Sequence, residues 1–181
     1  MKHPYLSLIF LTLWLPNILF AEGLEAYPTQ EAVDLGFKVF EDFDISPFPQ
    51  IVYQPILMKY FGIPLRRELR VVSTGYTEAL ELETFYYKGL EITVGRDGNW
   101  ESLERVYITG QDYKLQFGLR VGAKLKAFTD VFGPRHEDDA NTVSKKLVFD
   151  VGFVGNESAD VELDVDNKGI VRAIEITYPF Q

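Results

Sequence analysis

The 181-residue sequence has no cysteine and only two histidines, His3 and His136. The missing thiols exclude disulfides, thiol nucleophiles, Cys-ligated zinc, iron–sulfur clusters and a lipid-modified N-terminal cysteine. A serine or threonine nucleophile needs a base within reach, and beyond the first residues His136 is the only imidazole. The chain also lacks a Gly-x-Ser-x-Gly elbow, a phosphate-binding Gly-x4-Gly-Lys-Ser/Thr loop and any run of Lys and Arg. The densest basic spot is Arg66, Arg67 and Arg70, diluted by Glu68.

Positive charge is scarce overall, with 18 Lys and Arg against 27 Asp and Glu. A surface of that sign repels nucleic acid and anionic lipid. Apolar residues make up 46% and aromatics 14%, which places the chain among folded proteins.

Residues 1–21 have the order of a secretory signal. Met1-Lys2-His3 is a basic start, Tyr5–Phe20 is almost wholly apolar, and Leu19-Phe20-Ala21 offers a cleavage site. Pro16 and Asn17 interrupt the apolar run, which leaves it short for a spanning helix of about 20 residues. We therefore expect a mature chain that starts at Glu22, without a stable membrane anchor, in the bacterial periplasm or secreted. Loss of Lys2 with the leader takes the formal charge of −9 to −10. About 160 residues remain, enough to bury roughly two-thirds of the unfolded surface without a disulfide.

An internal repeat organises the rest. Met58-Lys-Tyr-Phe-Gly-Ile-Pro64 returns as Asp130-Val-Phe-Gly-Pro134, each a helix end closed by Gly and then Pro. The expected helices are residues 55–61 and 123–132. Leu125, Phe128, Val131 and Phe132 form one apolar stripe on the second. A strand-rich stretch follows each helix, residues 79–110 and 145–178. Leu103–Thr109 aligns with Val171–Thr177 at a separation of 68, and the Phe-Gly pairs stand 71 apart. Val161, Leu163 and Val165 alternate with Asp160, Glu162, Asp164 and Asp166; Leu90, Ile92 and Val94 alternate with Glu91 and Thr93. Such patterns are strands with one wet face. Lys88-Gly89, Asp97-Gly98, Gly155-Asn156 and Asn167-Lys168-Gly169 supply the turns. Strand 79–87 is ambiguous: Leu80 and Leu82 favour one face, Phe85 and Tyr87 the other, and a bulge would reconcile them. Thr29, Ala32, Val33, Phe37 and Phe40 have helical spacing.

The expected fold is thus α+β: two tandem modules, each a helix plus a three- or four-stranded antiparallel meander, forming a concave sheet. Residues 22–45 are a lead-in, 46–113 module 1 and 114–181 module 2.

The two Phe-Gly helix ends, the meander GLEITVGRDGNWESLERVYIT and Gly118-Leu-Arg-Val-Gly122 resemble the β-lactamase inhibitory protein fold over about residues 46–181. They are also similar to modules of the small outer-membrane lipoprotein of the barrel-assembly machinery. The first resemblance implies a sheet surface that engages a protein target. It carries an acidic hairpin residue over to Asp97 in Arg96-Asp97-Gly98-Asn99. Characterised inhibitors of that family carry disulfides and the lipoprotein needs a lipidated Cys, both of which this chain lacks.

Other constellations read as structure. His136 lies in a charged stretch, Pro134–Asp139, and stands alone, whereas a tight transition-metal site wants more than one such ligand. Asp164–Gly169 begins like a calcium loop, but Lys168 takes a ligand position, so a hairpin is expected. Asn156-Glu157-Ser158 is a sequon that reads as a turn. Glu81 with Glu83, and Glu101 with Glu104, have the spacing of neighbours on wet strand faces. Neither catalytic residues, nor a metal site, nor a cofactor is expected. The binding candidates are Asp97, Asn99, Trp100, Tyr86 and Tyr107, since tyrosine and tryptophan anchor interfaces. For Tyr86, Trp100 and Tyr107 the structural alternative is core or rim packing. The expected function is a non-catalytic exported protein that recognises a protein or peptide through its sheet face, enzyme inhibition included. A small-ligand carrier and a carboxylate-based hydrolase are the alternatives.

Overall fold

The structure is a computed structural model that describes residues 39–43, 53–73, 79–133, 146–153 and 157–178. The expected signal, the sequon turn at Asn156 and His136 lie outside these residues. So does most of the expected helix over 29–40. Its last residue, Phe40, is extended and forms a lone bridge with Leu115.

Two helices and one seven-stranded antiparallel sheet make up the described chain. They are α1 (Gln54–Phe61), β1 (Arg66–Ser73), β2 (Ala79–Tyr87), β3 (Leu90–Asp97), β4 (Trp100–Ile108), α2 (Leu125–Phe132), β5 (Lys146–Phe153), β6 (Glu157–Val165) and β7 (Val171–Thr177). The sheet order is β1-β2-β3-β4-β7-β6-β5. Each run of strands is therefore a meander, and the two meanders join where β4 pairs antiparallel with β7.

Pro55 pre-sets the first turn of α1, and both helices stop at a glycine with positive φ, Gly62 (76°) and Gly133 (83°). The expected helix ends are met at both sites. Gly89 turns the β2–β3 hairpin at φ 73°. A side chain there would meet the Gly110 backbone at 2.7 Å, so the turn admits only glycine. Its carbonyl accepts from both Thr109 and Gly110 N–H.

Both helices lie on one face of the sheet. The core beneath them takes alternate residues of β2, β3, β4, β6 and β7: Phe85, Leu90, Ile92, Val94, Leu103, Val106, Ile108, Val161, Leu163, Ile174 and Ile176 are all at most 1% exposed. Leu57 and Phe128 cover them from the helices at 0%.

Three expectations need correction. The first helix is followed by a strand that the alternation did not show, β1. Arg67 takes an inward position there to reach Glu83, which blurs the pattern. Strand 79–87 contains no bulge. It pairs in continuous register with both neighbours, and Glu83, Phe85 and Tyr87 face inward. The register shifts fall elsewhere: opposite Thr93/Val94, where β4 inserts Glu104, and opposite Asp164/Val165, where β7 inserts Arg172. Third, Glu83 and Glu101 are not on wet faces; they are 4% and 7% exposed.

Candidate functional site

The other face of the sheet carries neither helix. Cross-strand register places one row of side chains on it: Arg66, Tyr86, Glu91, Tyr107, Glu175 and Glu162, from β1 across to β6. Tyr86 and Tyr107 stand two strands apart in this row, about 10 Å at the usual strand spacing. Tyr86 lies under the Arg66 guanidinium at 3.9 Å and donates its hydroxyl proton to Glu68 at 3.0 Å. The Arg105 guanidinium lies 5.0 Å from the Tyr107 ring. Arg105 donates to Glu175 and approaches Glu91 at 3.7 Å.

Beside this arginine is a hollow of 260 Å³, lined by Arg105, Tyr107, Glu162, Asp164, Ala173 and Glu175. Its floor is low because Ala173 stands between larger neighbours. Among the described residues its walls hold three carboxylates and one cation. Glu162 and Glu175 are direct cross-strand partners, and like charges so placed repel.

The sequence-derived binding residues thus separate into two groups. Tyr86 and Tyr107 share the row. Asn99 and Trp100 sit at the far end of β4, on the order of 20 Å away along the strand. Asn99 is in the exposed hairpin turn and Trp100 is 55% exposed. Asp97 closes β3 opposite Trp100, and its side chain is outside the described set. The acidic and arginine members of the hollow were not among the candidates. The signal was present, since the 68-residue offset carries Tyr107 onto Glu175.

The inner face holds a second polar feature. Arg67, Glu83, Arg96 and Glu101 form a chain of alternating charge. Arg96 donates to Glu83 at 2.6 Å and to Glu101 at 2.7 Å, while Arg67 donates to Glu83 at 2.7 Å. Glu101 also accepts from the backbone N–H of Tyr53, which precedes α1. A carboxylate at a helix start satisfies an otherwise orphaned donor and complements the helix dipole. Glu83 is thus held by two arginines, and Glu101 by one arginine and the start of α1.

Asp166 is likewise spent on its turn. It accepts from the N–H groups of Lys168 and Ile170 and from Arg172, and those bonds hold its carboxyl below the usual range. The calcium-like stretch is a hairpin, as expected. Among the described residues no group of three or more His, Asp or Glu could hold a metal ion. No helix among them is long and apolar enough to cross a membrane.

Glu104, the residue inserted at the β4 bulge, packs against the bare face of Gly95. Burial pushes its carboxyl above 4.5, against the opposing hydrogen bond from Ser102. Its folded form therefore holds a proton more tightly than its unfolded form, so it costs stability at neutral pH and less as pH falls through the raised value. Glu104→Gln is expected to raise the unfolding midpoint slightly at pH 7. The gain should vanish below pH 4.5, as read by thermal melts across pH.

A groove of 340 Å³ runs between α1 and β1, lined by Gln54, Met58, Ile63, Pro64, Arg67 and Phe85.

No family profile matches the chain, and no curated protein matches its sequence. Among solved structures it is similar to a cysteine-rich secretory protein from Staphylococcus aureus subsp. aureus Mu50, at 14% identity and a TM-score of 0.39. The match covers 68% of this chain and spans 42% of that protein's length.

Proposed function

We propose that the protein is a non-catalytic, exported binding module whose uncovered sheet face takes a basic side chain of a protein or peptide partner. The observation that carries this is the hollow beside Tyr107. Glu175 and Glu162 face each other there with Asp164 adjacent, and among the described lining residues Arg105 is the single cation. A lysine or arginine entering the hollow relieves that repulsion, and Tyr107 offers its stem an aromatic wall. The resemblance to the inhibitory fold supports the same choice of face, with inhibition of an enzyme as its specific form.

We read the scaffold as two tandem modules, residues 46–113 and 114–181, and three coincidences support this. The two register shifts insert Glu104 and Arg172, which are 68 apart. The helix-end Phe61 packs on Tyr87 at 5.4 Å, and Phe132 packs on Phe149 at 5.3 Å. Tyr87 and Phe149 then open matching rows, Tyr87–Leu90–Ile108 and Phe149–Val161–Ile176. Tyr107 pairs with Glu175, its own equivalent, so the binding row crosses the junction of the two copies.

The test is titration calorimetry with the peptide Ac-Lys-Trp-Lys-NH2 at low salt. The wild type is expected to bind it. Glu162→Gln/Glu175→Gln should weaken binding at least tenfold while leaving the fold intact by circular dichroism. Equal binding by wild type and variant, or tighter binding of the matching glutamate peptide, contradicts the proposal.

A further inference from the structure

Among the described residues the sheet ends at β1, and β1 has few of the usual protections of an edge. It is eight residues long, contains no proline and runs beside β2 without a register shift. Leu69, Val71 and Val72 are 55%, 63% and 40% exposed. Edge strands of this kind pair with further strands unless charge, bulge or proline intervenes. The charges that β1 does carry are arranged in a self-complementary way. Arg67, Leu69 and Val71 point to the helix side, and Arg66, Glu68, Arg70 and Val72 to the open face.

We propose that β1 pairs antiparallel with β1 of a second copy, with Leu69 on the two-fold axis, to give one sheet of fourteen strands. In this register Glu68 faces Arg70 of the partner subunit, and the pair occurs twice by symmetry. Leu69 meets its own copy, and Val71 lies against the stem of the partner subunit's Arg67. Sliding the partner by two residues sets Arg70 against its copy in one direction and Glu68 against its copy in the other. Only the Leu69-centred register opposes unlike charges and covers the exposed leucine. Within one chain Glu68 already pairs with Arg70 at 2.8 Å, so the same two charges exchange partners across the axis. The interface is isologous and closed, so it ends at a dimer. Both helices stay on one side, and the open face with its binding row remains uncovered. The inference therefore stands apart from the proposed function.

The chain has no cysteine, so single introduced thiols report the register without background. Paired residues of antiparallel strands have Cα atoms about 4.5–5.5 Å apart, within disulfide range. Leu69→Cys should therefore cross-link to a covalent dimer under mild oxidation. Val71→Cys, about 14 Å from its copy in this register, should not. Light scattering of the wild type should give twice the monomer mass at micromolar concentration. Glu68→Arg and Arg70→Glu should each weaken the dimer at least tenfold, and the double exchange should restore it. A wild-type mass that stays monomeric at 0.5 mM overturns the proposal. So does cross-linking of Val71→Cys as fast as Leu69→Cys, or charge variants without effect. A monomer whose β1 amides gain protection only with an added foreign strand also overturns it, in favour of strand donation by another protein.

Discussion

Replacing Arg96 by leucine is expected to destabilise the protein by about 3–5 kcal/mol, the usual cost of stranding buried charge. Among the described residues Arg96 is the one that touches both buried acids. Without it, of the described partners, Glu101 keeps the N–H of Tyr53, and Glu83 keeps Arg67, whose side chain is 43% exposed. The helix start at Tyr53 then rests on an uncompensated carboxylate. Arg96→Lys should fall between wild type and Arg96→Leu, because an ammonium cannot fork to two carboxylates in the fixed geometry of a guanidinium. Urea unfolding at pH 7 measures both variants. A loss below about 1 kcal/mol would mean that the charge chain is solvated and does not hold α1 to the sheet.

Phe61→Ala is the second large effect, about 3–5 kcal/mol for an aromatic ring removed from a packed cluster. Phe61 closes α1 and meets four rings: Phe43 at 5.0 Å, Tyr87 at 5.4 Å, Phe40 at 5.5 Å and Tyr113 at 6.0 Å. Those contacts tie three parts of the chain together: residues 39–43, strand β2 and the connection after β4. The loss should therefore be local as well as global. The Glu41 N–H, which donates to the Lys114 carbonyl at 3.1 Å, should exchange faster in the variant by a larger factor than amides of β6. Hydrogen exchange read residue by residue separates this from uniform destabilisation. Phe61→Leu keeps much of the volume and should cost about half as much.

The sequence made some of this architecture legible and hid the rest, for physical reasons. Helix ends were visible because Gly62 and Gly133 supply a positive φ that few other residues adopt. Strands β3 and β6 were visible because their inward residues are aliphatic and their outward ones polar. The parity of β2 was obscure because Leu80 and Leu82 stand on the less covered face while a glutamate, Glu83, stands on the buried one. A charged residue in phase with Phe85 and Tyr87 called for a buried partner, and Arg67 and Arg96 were there to supply it. The same exchange hid β1, whose inward Arg67 breaks the alternation. The candidate site was half legible. Tyr86 and Tyr107 stand out as aromatics, and Glu91 joins them through local hairpins, but the meeting of Tyr107 with Glu175 and Glu162 depends on pairing between β4 and β7. That pairing joins residues about 70 apart, and no local pattern encodes it.

Backbone amide shift mapping tests most directly whether the sheet face opposite both helices takes a basic side chain. On titration with Ac-Lys-Trp-Lys-NH2, the account predicts the largest perturbations at Glu91, Tyr107, Glu162, Asp164, Ala173 and Glu175, with little change along α1 and α2. Perturbations centred on Met58, Ile63 and Phe85 in the groove beside α1, or spread evenly over the surface, would contradict it.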